Sequence, residues 1–239
     1  MELNRPKAHA INADMVREMR QAFAELAGSD EVKGVILTSP GTIFSAGLDV
    51  VELYDYDEPQ IEEFWKSFAN LIRDMAAFPK PLVAAINGHA PAGGCVFSLC
   101  CDCRIMANGD GRIGLNEVPL GIVPPGPIIE LARYAVGDTR AAEMLLHGAL
   151  LLPHEAGNFG LVHAVVAAEQ LMEAAEAKLG AWTELPQGPW RKAKALLRAP
   201  LLEAMDVDFS EAYGDTLAEW WSPDTRARLG AMVAKLAKK

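Results

Sequence analysis

The sequence predicts an α/β fold whose last part is helical. Two short apolar runs, residues 34–38 and 82–86, have the length and composition of buried strands. Between and around them, apolar residues recur every three or four positions, the period of an amphipathic helix. Strand, crossover helix, strand is the pattern of a parallel sheet covered by helices. From Ile128 onward the pattern is mostly helical, with one more strand near residues 161–166.

Each element has a local reason. Asn12 is placed to cap a helix, Gly28 to end it, and Met15, Met19, Phe23 and Leu26 form its apolar stripe. The strand at 34–38 follows, then a loop over 39–48 rich in Gly and Ser. A second helix is expected over about residues 61–77, with Phe64, Phe68, Leu71, Ile72 and Met75 turned inward and Pro79 and Pro81 ending it. The strand at 82–86 runs into a glycine-rich turn, residues 87–94, which opens a short apolar helix over about 94–101. Residues 104–107 and 111–115 are strand-like. Ser222-Pro223-Asp224 is a helix start: a cap, Pro in the first turn, then an acid. No internal repeat or linker interrupts the chain. The expected division is an α/β core over residues 1–190 and a helical region over 191–239.

Composition bounds the function. With 239 residues, the chain can bury a core without disulfides or a structural metal. At 51% apolar and 23% charged residues it is globular rather than disordered. No apolar run approaches a membrane span, the first residues offer no signal segment and the last offer no lipidation site, so a cytoplasmic location is expected. A net charge of −10 argues against a nucleic-acid surface. The charge is uneven: residues 49–63 hold seven acids and no base, and residues 226–239 hold five bases and no acid. Two solvated faces are the common meaning; a basic tail reaching an anionic ligand or a neighbouring subunit is the sharper one. Cys95, Cys100, Cys101 and Cys103 lack a second ligand pair and sit among apolar residues, so they are expected to be reduced core side chains, with no metal.

Two turns stand out chemically: Phe44-Ser45-Ala46-Gly47-Leu48-Asp49 and Pro91-Ala92-Gly93-Gly94-Cys95. Small residues let a ligand approach the backbone, and a helix start offers unbonded N–H groups. Two such groups converging on one oxygen make an oxyanion hole, although an isolated Gly-Gly is more often only a turn. Neither a phosphate loop nor a nucleophile elbow is present, and Ser98 belongs to the apolar helix. His89 is expected to be structural, and Asp49 to brace its loop.

These two turns, with Leu3-Asn4-Arg5-Pro6 and with Ile113-Gly114-Leu115-Asn116-Glu117-Val118-Pro119-Leu120-Gly121-Ile122, resemble the crotonase (enoyl-CoA hydratase/isomerase) superfamily in order and spacing. The resemblance runs over nearly the whole chain, weakest after about residue 182, and is strongest to the Δ3,Δ2-enoyl-CoA isomerase branch of mitochondrial type. It implies a spiral of ββα units with C-terminal helices that build a homotrimer or a dimer of trimers, and an acyl-CoA thioester as substrate. The oxyanion hole would be the backbone N–H groups of Leu48 and Gly93. The region of Lys7 and Ala8 would meet the CoA nucleotide, and Ser45, Ala46, Gly94, Val96 and Leu120 would border the substrate. Glu117 would be the one catalytic carboxylate, because the hydratases' other glutamate falls at Val96. Water addition needs both carboxylates; moving a proton between two carbons needs one. Pro124-Pro125-Gly126-Pro127 stands in place of a glycine-rich segment of the hydratases, and the family's strand before Leu3 has almost no room.

The expected function is therefore enoyl-CoA isomerisation in unsaturated fatty-acid oxidation, with neither metal nor redox cofactor and CoA as part of the substrate. The alternatives are another single-glutamate crotonase acting on a different acyl-CoA, weak hydratase included, and a non-catalytic RNA-binding or scaffold protein of this fold. The apolar Met205, Val207, Phe209, Tyr213, Leu217, Trp220 and Trp221 are expected to serve association, or else to pack back on their own core. The C-terminal lysines are further candidates for the CoA phosphates.

Overall fold

A computed structural model describes residues 1–236. Lys238 and Lys239, two of the lysines considered for CoA phosphates, lie outside the described residues. Helix α1 (Ala13–Gly28) starts where Asn12 accepts a hydrogen bond from Met15 N at 3.0 Å, and it buries Met15, Val16, Met19 and Phe23. Asp49 caps a one-turn helix, α2 (Val50–Leu53). Helix α3 (Glu58–Ala76) begins three residues before the expected start. The reason is a capping box: Asp57 takes the N–H of Gln60 while the Gln60 side chain takes that of Asp57.

Among the described residues six strands follow one another: β1 (Val35–Leu37), β2 (Leu82–Ile86), β3 (Ala90–Pro91), β4 (Cys103–Ala107), β5 (Ile113–Gly114) and β6 (Ala164–Val166). Four pair in parallel in the order β1-β2-β4-β6, with Val35 beside Leu82, Val83 beside Cys103 and Ile105 beside Ala164. The other two, β3 and β5, pair in parallel in a second sheet, which bridges at Ile43–His89 and Ile113–Leu151 extend. Each turn of the chain thus gives one strand to each sheet and then a helix: β2, β3 and α4 (Gly93–Cys100), then β4, β5 and α5 (Gly126–Val136). This is a spiral of ββα units.

Helices α6 (Asp138–His147), α7 (Pro153–Phe159) and α8 (Leu171–Thr183) complete the spiral. Strand β2 is buried on both faces. Leu82, Ala84 and Ile86 join the main core, whereas Val83 and Ala85 pack with Cys103, Ile105, Leu171 and Ala175 in a smaller cluster under α8. The first residues run along the chain after β1: Leu3 N donates to Thr38 O at 2.8 Å and Thr38 N to Met1 O at 3.1 Å. A stub of parallel pairing therefore occupies the place before Arg5.

Three helices end the described chain: α9 (Gln187–Met205), α10 (Phe209–Trp220) and α11 (Pro223–Leu236). Residue 190 lies inside α9. Lys194 Nζ and Arg198 Nη2 hold α9 to Asp102, just before β4, at 2.6 and 3.3 Å. Met205, Tyr213 and Trp220 are buried in the main core, and Phe209, Leu217 and Trp221 pack against it. Of the apolar residues expected to serve association, then, most pack back on their own core, and Val207 is exposed. The large exposed apolar side chains include Leu196 and Leu197 of α9, at 77% and 69% exposure, and Tyr134 of α5. All four cysteines are buried and unpaired, and burial pushes the Cys100 thiol up to about 12, so they act as core side chains. Among the described residues no helix is long and apolar enough to cross a membrane.

Candidate active site

The loop after β1 is fixed from both ends. Ile11 N donates to Gly47 O and Asp49 N to Ile11 O, each at 2.8 Å. Leu48, between them, therefore turns its own N–H away from Ile11, and no described residue accepts from it. Ser45 Oγ donates to His9 O at 2.8 Å, and Ala46 N to Ala8 O at 3.0 Å. Arg5 ties the loop's exit, reaching Asp49 at 2.7 Å and Glu52 at 3.0 Å. Asp49 also accepts from Glu52 N at 3.1 Å, the bracing that a turn Asp provides.

The second turn abuts the first. A Cβ added to Gly47, whose φ is +84°, would lie 3.1 Å from Ala92 Cβ and 3.2 Å from Gly93 N. A Cβ on Gly94 would lie 2.5 Å from Ser45 O. The two loops approach this closely because neither glycine carries a side chain. Gly93 opens α4, and its N–H, like that of Leu48, has no acceptor among the described residues. Two unbonded N–H groups from touching turns, one of them at the positive end of a helix, suit a developing negative oxygen.

Glu117 faces the same space. Its carbonyl takes the N–H groups of Leu120 at 2.9 Å and Ile122 at 3.1 Å, which folds the following residues into a single 3-10 turn, Val118–Leu120. The carboxyl is buried, and Oε2 has no hydrogen-bond partner. Burial pushes its pKa up from 4.5 to about 7, with only its own backbone N–H opposing. It lines a cavity of about 160 Å³ together with Leu48, Gly93 and Val96. Among the described residues no other charged side chain lines that cavity, and Val96 is wholly buried in its wall.

The structure brings together most of the residues singled out in the sequence. Ala46, Leu48, Gly93, Val96, Glu117 and Leu120 line the cavity. Ser45 and Gly94 lie behind it as braces of the loop contact. Lys7 and Ala8 lie outside it, in a left-handed turn with φ of 60° and 68°, and Lys7 is exposed. His89 is an exposed structural residue whose Nδ1 accepts from Arg112 N at 3.2 Å. Sequence reasoning missed Trp65 of α3, Asn116, Ile128 of α5 and Met232 of α11 as wall residues. Trp65 had a signal, three residues before Phe68 on one helix face; Met232 had none. Among the described residues, no group of three or more His, Cys, Asp and Glu side chains is arranged to hold a metal.

An apolar cavity with two N–H donors that no described residue engages and one carboxyl whose pKa is raised to about 7 can hold an oxyanion and exchange a proton with a carbon beside it. Comparison with known proteins gives the family. Residues 1–213 match the enoyl-CoA hydratase/isomerase family. The mouse protein "Enoyl-CoA delta isomerase 1, mitochondrial" is 36% identical over 201 residues, 83% of this chain and 69% of the relative. The "Short-chain-enoyl-CoA hydratase" of Clostridium acetobutylicum is also 36% identical, over 177 residues, 73% of this chain and 67% of the relative. The crystal structure of human mitochondrial delta3-delta2-enoyl-CoA isomerase superimposes with a TM-score of 0.95 at 28% identity, covering 100% of this chain and 93% of that one. The ββα spiral is therefore the crotonase fold, and the chain belongs to the enoyl-CoA hydratase/isomerase family.

Proposed function

We propose that the protein is a Δ3,Δ2-enoyl-CoA isomerase. The observation that carries this reading is the single carboxylate: Glu117 is the one charged side chain among the described residues that line an apolar cavity, with Val96 where a second acid would have to stand. The thioester oxygen binds the N–H groups of Leu48 and Gly93. Glu117 takes a proton from C2, the electrons move onto the oxygen as an enolate, and the protonated Glu117 returns the proton to C4 while the double bond forms between C2 and C3. A carboxyl with a pKa of about 7 suits both halves of that exchange near neutral pH. The dry wall strengthens the hydrogen bonds to the enolate. No redox or metal step is required.

Ser45 and Gly94 support the loop contact, and the turn at Lys7 and Ala8 offers a cation to the CoA nucleotide. The reading includes a cytoplasmic location and a homotrimer, or a dimer of trimers, for which the exposed Leu196 and Leu197 supply the apolar face. The equally identical hydratase relative supports a second reading, a single-glutamate crotonase with weak hydratase activity. Incubation with a 3-enoyl-CoA separates them. The isomerase reading expects the absorbance of the conjugated 2-enoyl thioester with no gain of water by mass; hydrated product as the main species refutes it.

A further inference from the structure

The base-bearing turn and the oxyanion side of the cavity belong to different parts of the spiral, and one short stretch of α11 touches both. Thr225, fully buried, donates its hydroxyl to Gly121 O at 2.8 Å. Gly121 closes the turn that begins at Glu117: its N–H donates to Val118 O, and the next N–H, that of Ile122, donates to Glu117 O. The seat is tight, since a Cβ on Gly121, whose φ is +82°, would lie 2.6 Å from Thr225 Oγ1. From α10, Thr216 Oγ1 donates to Val123 O at 2.8 Å, which anchors the exit of the same turn.

The next residue reaches the other side. Arg226 Nη2 donates to Tyr54 O at 2.9 Å, and its guanidinium lies 3.6 Å from the centre of the Tyr54 ring. Tyr54 ends α2, the helix that Asp49 starts directly after Leu48. Two turns further along α11, on the face that carries Thr225, Met232 enters the cavity wall. The helix face that holds the Glu117 turn therefore also closes the space into which Glu117 points.

We propose that Thr225 and Arg226 form a clamp that sets the position of the Glu117 turn against the Leu48 loop, and that both are positioning residues for proton transfer beside a thioester. The proposal rests on the isomerase reading for its substrate. A displacement of about 1 Å at reacting groups costs on the order of a hundredfold in rate, so a clamp of this kind acts on turnover rather than on binding. Loosening the Thr225 side also admits water to a carboxyl whose described neighbours in the cavity are uncharged.

The test compares wild type with Thr225→Val, Thr225→Ser and Arg226→Gln. It measures kcat, KM and the acid limb of the rate profile with a 3-enoyl-CoA, and the exchange of C2 protons of a saturated acyl-CoA in D2O. Thr225→Val is expected to lower kcat by about ten- to a hundredfold at nearly unchanged KM, and to move the acid limb to lower pH. Thr225→Ser, which keeps the hydroxyl, is expected to restore both. Arg226→Gln is expected to lower kcat with the acid limb unmoved, and it stands as the decisive variant if the valine protein fails to melt as a folded chain. Wild-type kcat in Thr225→Val and Arg226→Gln overturns the clamp alone. Wild type that exchanges C2 protons without isomerising overturns the isomerase reading, and the clamp is then decided on the exchange rates of the same variants. Wild type that does neither overturns both.

Discussion

Glu117→Gln separates what the carboxylate does for chemistry from what it costs the fold. In the folded protein its pKa is raised from 4.5 to about 7 by burial. A group whose folded pKa lies above its unfolded one contributes full stability below the unfolded value and loses it as pH rises through the folded one. At about 1.4 kcal/mol per pH unit, ionising Glu117 destabilises the folded state by about 3 kcal/mol. Glutamine keeps the shape and carries no charge. At pH 8 the variant should therefore be the more stable protein by up to about 3 kcal/mol, or several degrees in Tm for a chain of this size. The gain should be nearly full at pH 7, shrink as pH falls from about 7 to 4.5, and vanish near pH 4. The same variant should lose at least about a hundredfold in isomerisation, because the amide cannot take the proton, while still binding acyl-CoA. Thermal unfolding of both proteins from pH 4 to pH 9, beside turnover by absorbance, reads both effects. A variant that melts lower than wild type at pH 8, or with an offset independent of pH, refutes the buried-base argument; one that keeps near wild-type turnover removes Glu117 from the mechanism.

Three further outcomes follow from the same geometry. The rate profile should fall on the acid side with a midpoint near pH 7, since only the ionised carboxylate abstracts a proton; a flat profile down to pH 5 contradicts the raised pKa. Val96→Glu should add measurable hydration of a 2-enoyl-CoA and slow isomerisation, because a second carboxylate gives a water the polar partners that the present wall denies it. Leu196→Glu with Leu197→Glu should shift sedimentation from trimer to monomer at micromolar concentration; wild type that sediments as a monomer contradicts the proposed assembly.

Much of the fold is legible in the sequence where a local cause sets it. Asn12 and the stripe from Met15 to Phe23 fix α1, and the β-branched and apolar run of β2 announces a strand buried on both faces. Helix α3 starts ahead of its first apolar residue because Asp57 and Gln60 begin that helix. Helix α2 and strand β3, at four and two residues, are too short to leave a period. Within the site, the glycines were readable because a close approach of two turns needs them. The walls were not: Met232 reaches the cavity through tertiary packing of a helix far along the chain, and periodicity says only that such a residue has a face. The aromatic residues of α10 show the same limit. Their apolarity was legible, but whether Trp220 meets a partner or its own core depends on the docking of α10, and it is buried in its own core.

The central claim is that one carboxylate against a hydrocarbon wall makes this protein move a double bond rather than add water across one. The measurement that tests it most directly is the ratio of two rates in the wild-type protein. These are conversion of a 3-enoyl-CoA to its conjugated isomer and hydration of the 2-enoyl-CoA of the same chain length, each at saturating substrate. The account predicts that isomerisation exceeds hydration by at least about a hundredfold, the contribution of the missing acid–base group. Equal rates would contradict it: another side chain would then be supplying the second acid, and the reading of Val96 and of the whole site would be wrong.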